Sequence, residues 1–200
     1  MNILGWYFFY IKIRLNMTKI IEKSYELIER VFDYVERDYT LDDYKHINNN
    51  KSLIVNTLYD LKYNIDLMIN DYNEAKENIL IGRLLPMTAK RIKEDIGIDL
   101  DKYSLVYNKS DVRHIYLGHI QNSRRQVPLM INDILLFPFV MADYDSITKD
   151  NEGKLILEKW ISHNYRVAVI ITRKRKNITL KSMYITKKGK NKSLPISHDS

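Results

Sequence analysis

The pattern of apolar and polar positions changes character along the 200 residues. In the first part, Ile20, Ile21, Leu27, Ile28, Val31, Phe32 and Val35 recur at three- and four-residue steps. That is the period of an amphipathic helix, with Thr18 as its N-cap and Glu22 in its first turns. The run "TLDDYKHINNNK" then breaks the pattern with the Asn and Asp residues that favour turns. Ile54, Leu58, Leu61, Ile65, Met68 and Tyr72 resume it at steps of four and three, close to a heptad. Two such stretches around a polar link predict an antiparallel helical hairpin over residues 18–80, with packing or homodimerisation as its role.

The composition shifts near Arg83. "RLLPMTAKRIKEDIGIDL" predicts a short helix from about Thr88, ended at Gly97, where glycine takes a left-handed C′ conformation at little cost. "YSLVYN" predicts a strand. "DVRHIYLGH" predicts a helix capped by Ser110, with Asp111 on the positive end of its dipole. "VPLMINDILLFPFVM" predicts a further helix that starts after Pro128 and stops before Pro138. Beyond Asp143, "KLILEKWI", "YRVAVIITRKR" and "ITLKSMYITKK" read as strands joined by the short turns "SHN" and "KN". Such turns are too short for parallel crossovers, so the strands form an antiparallel meander. The middle one, apolar on both faces, is central. The fold class is therefore α+β: an N-terminal helical hairpin, then short helices packed on a small antiparallel β-meander. The expected division is an apolar extension at 1–16, the hairpin at 17–82, a second domain at 83–192 and a flexible tail at 193–200.

Composition narrows the function classes. Cysteine is absent, which excludes disulfides and thiolate metal sites and points to a reducing, cytoplasmic setting. The formal charge of +7 favours anionic partners. Between Tyr165 and Lys192 there is no acidic residue, but there are Arg166, Arg173, Lys174, Arg175, Lys176, Lys181, Lys187, Lys188, Lys190 and Lys192. This is the charge pattern of a phosphate-binding face; the rival reading is a sheet edge guarded by lysines against aggregation. The opening "NILGWYFFYIKIRL" is apolar, but Lys12 and Arg14 interrupt it. It is too short to span a bilayer, so no stable membrane insertion is expected. Met17 follows and opens an ordinary-looking start, which makes residues 1–16 a dispensable extension. The alternatives are a packed strand and a membrane-surface anchor.

Two of the five histidines, His114 and His119, lie in "DVRHIYLGH". Helical metal pairs use i and i+4 so that both rings share a face; this spacing is i+5, and no metal site or cofactor is expected. On a continuous helix Val112, Ile115, Tyr116 and His119 form one stripe, and His114 points almost the opposite way. Alternatively the helix ends at Gly118 and His119 turns into a cleft. The residues alone leave both readings open. His46, His163 and His198 sit in a link, a turn and a tail, and are given no role.

Residues from about 84 to 190 resemble the phage nuclease domains grouped with the barnase–EndoU–colicin–RelE (BECR) fold. "LLPMTAKRIKEDIGIDLDKYSLVYNKSDVRHIYLGH" is similar to their lead-in helix, glycine stop and arginine–histidine helix. "QVPLMINDILLFPFVMADYDSI" resembles the following helix and turn. "LEKWI", "YRVAVI" and "LKSMYITKK" resemble the strand meander with its hydroxyl–methionine–tyrosine signature. Two positions depart from the pattern: Ile120 follows the second histidine where glycine is usual, and Ser182 stands where threonine is common.

The resemblance implies a phage-encoded, metal-independent endoribonuclease acting in the host cytoplasm, on RNA such as host tRNA or mRNA. A base would take the ribose 2′-OH proton, the oxygen would attack phosphorus, and an acid would protonate the leaving 5′-oxygen, giving a 2′,3′-cyclic phosphate. Histidine suits both proton transfers near neutral pH. Carried residue by residue, the resemblance makes His119 the acid or base and His114 the second, with Arg113 on phosphate, and the helix is expected to stop at Gly118 and release His119 toward Ser182 and Tyr184. Ser182 and Tyr184, on one strand face, would bond the scissile phosphate, and Lys159 would stabilise charge. Arg173, Lys174, Arg175, Lys176, Lys181 and Lys187 would bind RNA. The structural alternatives are a packing role for Tyr184, a small core residue at Ser182 and a solvated Lys159. A different class stays open: a degenerate nuclease scaffold that binds RNA or a host protein as an anti-host or anti-defence factor. An immunity-type inhibitor would be a further partner.

Overall fold

The computed structural model describes residues 26–40, 51–119 and 126–188. The expected N-terminal extension, the Thr18 cap, most of the polar link with His46, Ile120 and the tail with His198 lie outside them.

Among the described residues, nine strands form one sheet. They are β1 (Val35–Glu36), β2 (Ser52–Ile54), β3 (Asn78–Leu84), β4 (Ser104–Asn108), β5 (Gln126–Val127), β6 (Ser146–Lys149), β7 (Leu155–Ser162), β8 (Tyr165–Lys174) and β9 (Asn177–Lys187). The spatial order is β1-β3-β4-β9-β8-β7-β6, with β2 on β3 and β5 on β9. The helices are α1 (Leu58–Asn70), α2 (Pro86–Ile96), α3 (Lys109–His119) and α4 (Phe137–Ala142), the last preceded by a 3-10 turn, Ile131–Leu136.

The expected meander is present: β6 to β9 pair antiparallel in sequence, and β8 lies between β7 and β9. The β8–β9 turn differs from "KN". Arg175 and Lys176 form it, with φ of 51° and 63°, the double left-handed geometry of a two-residue hairpin turn.

Among the described residues the expected helical hairpin is not found. Residues 26–29 are helical and Val31–Tyr34 makes a 3-10 turn, but Val35 and Glu36 then pair antiparallel with Leu84 and Arg83 of β3. The second helix starts at Leu58, not Ile54, because Thr57 caps it by accepting the Asp60 N–H at 3.0 Å. Ile54 belongs instead to β2, parallel to β3. β3 itself crosses the expected boundary at residue 83. The centre of "NILIGRL", Ile79 to Gly82, is an apolar run buried on both faces, and such runs carry no period that separates strand from helix. Gly82 lets β1 come close: a Cβ there would lie 2.7 Å from Val35 Cβ and 2.9 Å from the Glu36 carbonyl.

A main core covers one face of the sheet, and Ile54, Leu80 and Val106 form a second, small buried cluster with Tyr39 packed on it. Ile28, Val31, Val35, Leu61, Ile65 and Met68 join Ile79, Ile81, Leu105, Tyr107, Val167, Val169, Met183 and Ile185 in a single buried cluster. Tyr34 packs on Phe139 of α4, with ring centroids 5.3 Å apart. Buried apolar area of this kind is the main favourable term in folding. α2 ends as read, with Gly97 left-handed at φ 72°. Pro138 begins α4 rather than stopping a helix; proline is tolerated in a first turn because its missing N–H has no partner there anyway.

Candidate active site

The connection from β4 to β5 positions the two histidines. β9 shares its outer edge between two neighbours: β4 pairs with Asn177, Ile178 and Thr179, and β5 pairs with Ile185 and Thr186. α3 bridges the two along β9. It starts at Asn108, whose Oδ1 accepts the Ser110 N–H at 3.1 Å and the Ser110 hydroxyl at 2.7 Å. Asn108, not Ser110, is therefore the cap. Asp111 in the first turn takes Lys181 Nζ at 2.7 Å and pins α3 to the middle of β9.

The last turn of α3 lies over the end of β9. The helix does not stop at Gly118; it continues to His119, and the His119 carbonyl accepts the Leu129 N–H at 3.1 Å. Val112 and Ile115 face the core, so the continuous stripe of the sequence reading is the one observed. His119 follows on that stripe, half-buried, with its Nδ1 3.4 Å from Gln126 Oε1. His114 is exposed and lies about 140° around the helix from His119. The two histidines do not converge.

Strand register shows what lies beyond Gln126. Directly paired residues of antiparallel strands point to the same face. Gln126 pairs Thr186, Thr186 pairs Arg166, and Arg166 pairs Trp160. This row crosses β5, β9, β8 and β7 on the face opposite the main core. The next row holds Tyr184, Ala168 and Glu158, and the row beyond it Ser182, Ile170 and Ile156. Tyr184 is thus about 7 Å along β9 from Thr186, and Ser182 about 13 Å. Both do share the face, as their spacing implied. Tyr184 lies one row from the His119 end and Ser182 two.

Charge on this face centres on Arg166. Its Nη1 lies 2.9 Å from Glu158 Oε2, which also accepts the Ser146 hydroxyl at 3.2 Å. The Arg166 guanidinium is 5.7 Å from the Trp160 ring centroid, and the Lys188 ammonium is 5.8 Å from it. Trp160, Ser162, His163 and Lys188 line a cavity of about 540 Å³ beside this row. Glu158 is the one acidic residue in β7, β8 and β9.

The other residues singled out by sequence lie elsewhere. Lys159 alternates to the opposite face, between Asp143 at 3.0 Å and Asp145 at 2.9 Å. Burial works to lower its pKa, but the two carboxylates outweigh this and hold it above the ordinary value. Asp145 also accepts the Trp160 N–H at 2.8 Å. Burial pushes its carboxyl up, yet that bond and Lys159 together hold it below the usual range. Lys159 closes the end of α4 onto β7 and does not join Ser182 and Tyr184. Arg113 stacks over the Tyr72 ring at 4.9 Å, beside α1.

The basic residues split into two groups. Arg173, Lys174, Arg175 and Lys176 sit at the β8–β9 turn, where Arg173 donates to the Gly153 carbonyl and Lys176 to that of Asp101. Arg166, Lys187 and Lys188 lie at the other end of the hairpin, about 30 Å away along the strands. Lys181 is engaged by Asp111. The sequence reading missed Trp160, Glu158 and Gln126, and counted Arg166 only as one basic residue among ten. Their signal is alternation: Glu158 and Trp160 are spaced by two, on the polar face of an otherwise apolar strand.

Among the described residues, no three His, Cys, Asp or Glu side chains cluster as a metal site requires, and no helix is long and apolar enough to cross a membrane. The sequence matches, over residues 85–193, the model of the family described as phage-Barnase-EndoU-ColicinE5/D-RelE like nuclease3. No curated protein and no solved structure matches it.

Proposed function

Because this chain belongs to the phage-Barnase-EndoU-ColicinE5/D-RelE like nuclease3 family, a nuclease family, we propose that it cleaves RNA by attack of the ribose 2′-OH on the adjacent phosphorus, without a metal ion. The observation that supports this most is the placing of His119, beside Gln126 at the end of a row that carries Arg166. An imidazole supplies a proton-transfer group for neutral pH, and a guanidinium supplies charge for the phosphorane oxygens.

In this reading His119 protonates the leaving 5′-oxygen or takes the 2′-OH proton. Glu158, on β7 about 16 Å from Gln126 at ordinary strand spacing, is too far from His119 to be its proton-transfer partner and serves to hold Arg166. Tyr184, in the Glu158 row, donates a hydrogen bond to a phosphate oxygen. Ser182 contacts the next phosphate along. His114 and Arg113, exposed on the outer side of α3, bind substrate at a distance from the reacting atoms. A phage gene product acting on host tRNA or mRNA in the cytoplasm would fit such an enzyme, with a host protein or immunity-type inhibitor as its partner.

Incubation with total RNA, with and without chelator, tests the proposal. Cleavage should persist in chelator and leave 2′,3′-cyclic phosphate ends. His119→Ala should reduce it roughly a hundred- to ten-thousand-fold, the usual range for one acid–base group, while His114→Ala should cost less than tenfold. DNA, lacking the 2′-OH, should be resistant. RNA binding with no turnover would favour a degenerate scaffold, and chelator-sensitive cleavage of DNA would overturn the mechanism.

A further inference from the structure

The cavity at the open ends of β7, β8 and β9 has a chemistry that the cleavage step does not use. Trp160, 41% exposed, is the aromatic side chain in its wall. An indole this open gains little from burial at its own site, yet it is held firmly. Asp145 accepts its backbone N–H, and Arg166 pairs with it across the strands. Two cations, Arg166 and Lys188, lie within 6 Å of the ring centroid, the range at which a cation is attracted to an aromatic face. Ser162 and His163 stand at the rim with hydrogen-bonding side chains, and Lys188 is fixed by its N–H to the Asn164 carbonyl at 2.8 Å.

A flat aromatic beside two cations and polar rim groups matches one ligand class. Unpaired bases stack on exposed aromatic rings, and the linking phosphates are held by neighbouring positive charge. Placement agrees with this. Trp160 lies three strands from Gln126 in the same row, about 14 Å at ordinary strand spacing. That is too far for the reacting nucleotide at His119, but within reach of a flanking one, with Arg166 between them. Two residues of the site retain donor capacity. Arg166, whose buried Nε is turned away from ligand, keeps outer guanidinium N–H groups beyond the one on Glu158, and the Lys188 ammonium carries three donors.

We propose that Trp160, Arg166 and Lys188 form a subsite for an unpaired nucleobase and its phosphate, flanking the cleaved bond. This rests on the nuclease reading for its role in cleavage, but not for binding. The subsite makes the protein a reader of single strands: a base locked in a duplex cannot lie flat on Trp160. Ser162 and His163 would meet the base edge and set any preference among bases.

The test uses the full chain carrying Trp6→Phe, so that Trp160 is the sole tryptophan, and His119→Ala, so that the probe survives. A ten-nucleotide single-stranded RNA of mixed sequence should quench the fluorescence. The same strand in a duplex, an abasic strand and inorganic phosphate should not. Binding followed with labelled RNA should weaken roughly 5- to 150-fold in Trp160→Ala, the range for losing one stacked base. Trp160→Phe keeps an aromatic face and should lie between; it also serves if the alanine variant melts early. Lys188→Gln should lower the salt slope by about 0.7. Quenching without cleavage by the His119 protein would support the subsite and remove the nuclease reading. Cleavage without quenching, or unchanged affinity in both Trp160 variants, would overturn the subsite and leave the nuclease standing. Neither quenching nor cleavage would overturn both.

Discussion

Replacing Gly82 with alanine tests whether the N-terminal residues belong to the sheet. The added methyl would stand 2.7 Å from both Val35 Cβ and Val35 Cγ2, and 2.9 Å from the Glu36 carbonyl oxygen. Two of these three atoms are a backbone oxygen and a Cβ, which cannot rotate away, so β1 must shift. Overpacking of this kind costs about 1–3 kcal/mol. The φ of 156° adds about 1 kcal/mol, since a side chain rarely adopts it. The sum, about 2–4 kcal/mol, corresponds to a fall in Tm of about 5–15 °C for a chain of this size. Thermal melts followed by circular dichroism would read it. The double variant Gly82→Ala, Val35→Gly removes the opposing side chain and should recover part of the loss, with a coupling of about 0.5–3 kcal/mol. An unchanged Tm in Gly82→Ala, or strict additivity in the double variant, would refute the approach of β1 to β3 and revive a separate N-terminal unit.

Three further outcomes are expected. Lys159→Met should lower stability by about 1 kcal/mol, because both its partners are partly solvated, and should leave cleavage per folded molecule unchanged; a tenfold loss of turnover at unchanged folded fraction would return Lys159 to the reaction. Burial pushes the Asp133 carboxyl up to about 6, against the Met130 N–H that favours its charged form. A folded pKa above the unfolded value of about 4 means that this group's contribution is present below about pH 4 and is lost as pH rises through 6. Asp133→Asn should therefore flatten the decline of Tm between pH 4 and 6, and an unaltered profile would contradict it. Arg175→Glu, at the β8–β9 turn, should leave the salt slope of RNA binding nearly unchanged while Lys188→Gln reduces it; equal effects would mean that the two basic groups share one RNA path.

The meander, the glycine end of α2, the strand β4 and the helix with the two histidines were legible in the sequence because each signal is local. Alternation, a short turn and a left-handed glycine act within a few residues. The stripe of Val112, Ile115 and His119 was legible for the same reason, whereas the expected stop at Gly118 was not met, because the helix runs on to His119. What failed were runs without a period. "SLI" and "NILIGRL" carry apolar residues but no alternation, because β2 and β3 are buried in a sheet whose other strands lie far along the chain. Only pairing decides that they are strands, β3 with β4 and β1, and β2 with β3, and that pairing joins the N-terminal residues to the main core.

The site shows the same division. Histidine, arginine and tryptophan are residue types visible in any order, so the chemistry available to the chain was set by sequence alone. Which of them meet was set by register. A bulge between Ile170 and Ile171 changes the alternation along β9, placing Ser182 and Tyr184 on the face away from the core. Strand polarity sends Arg175 and Lys188 to opposite ends of one hairpin, although they are thirteen residues apart. β5, only two residues long, brings Gln126 beside β9 and completes the row from His119 to Trp160. These are contacts between segments distant in sequence. They become favourable only after the core has closed, because hydrogen-bond pairing between strands is specific only once one face is buried.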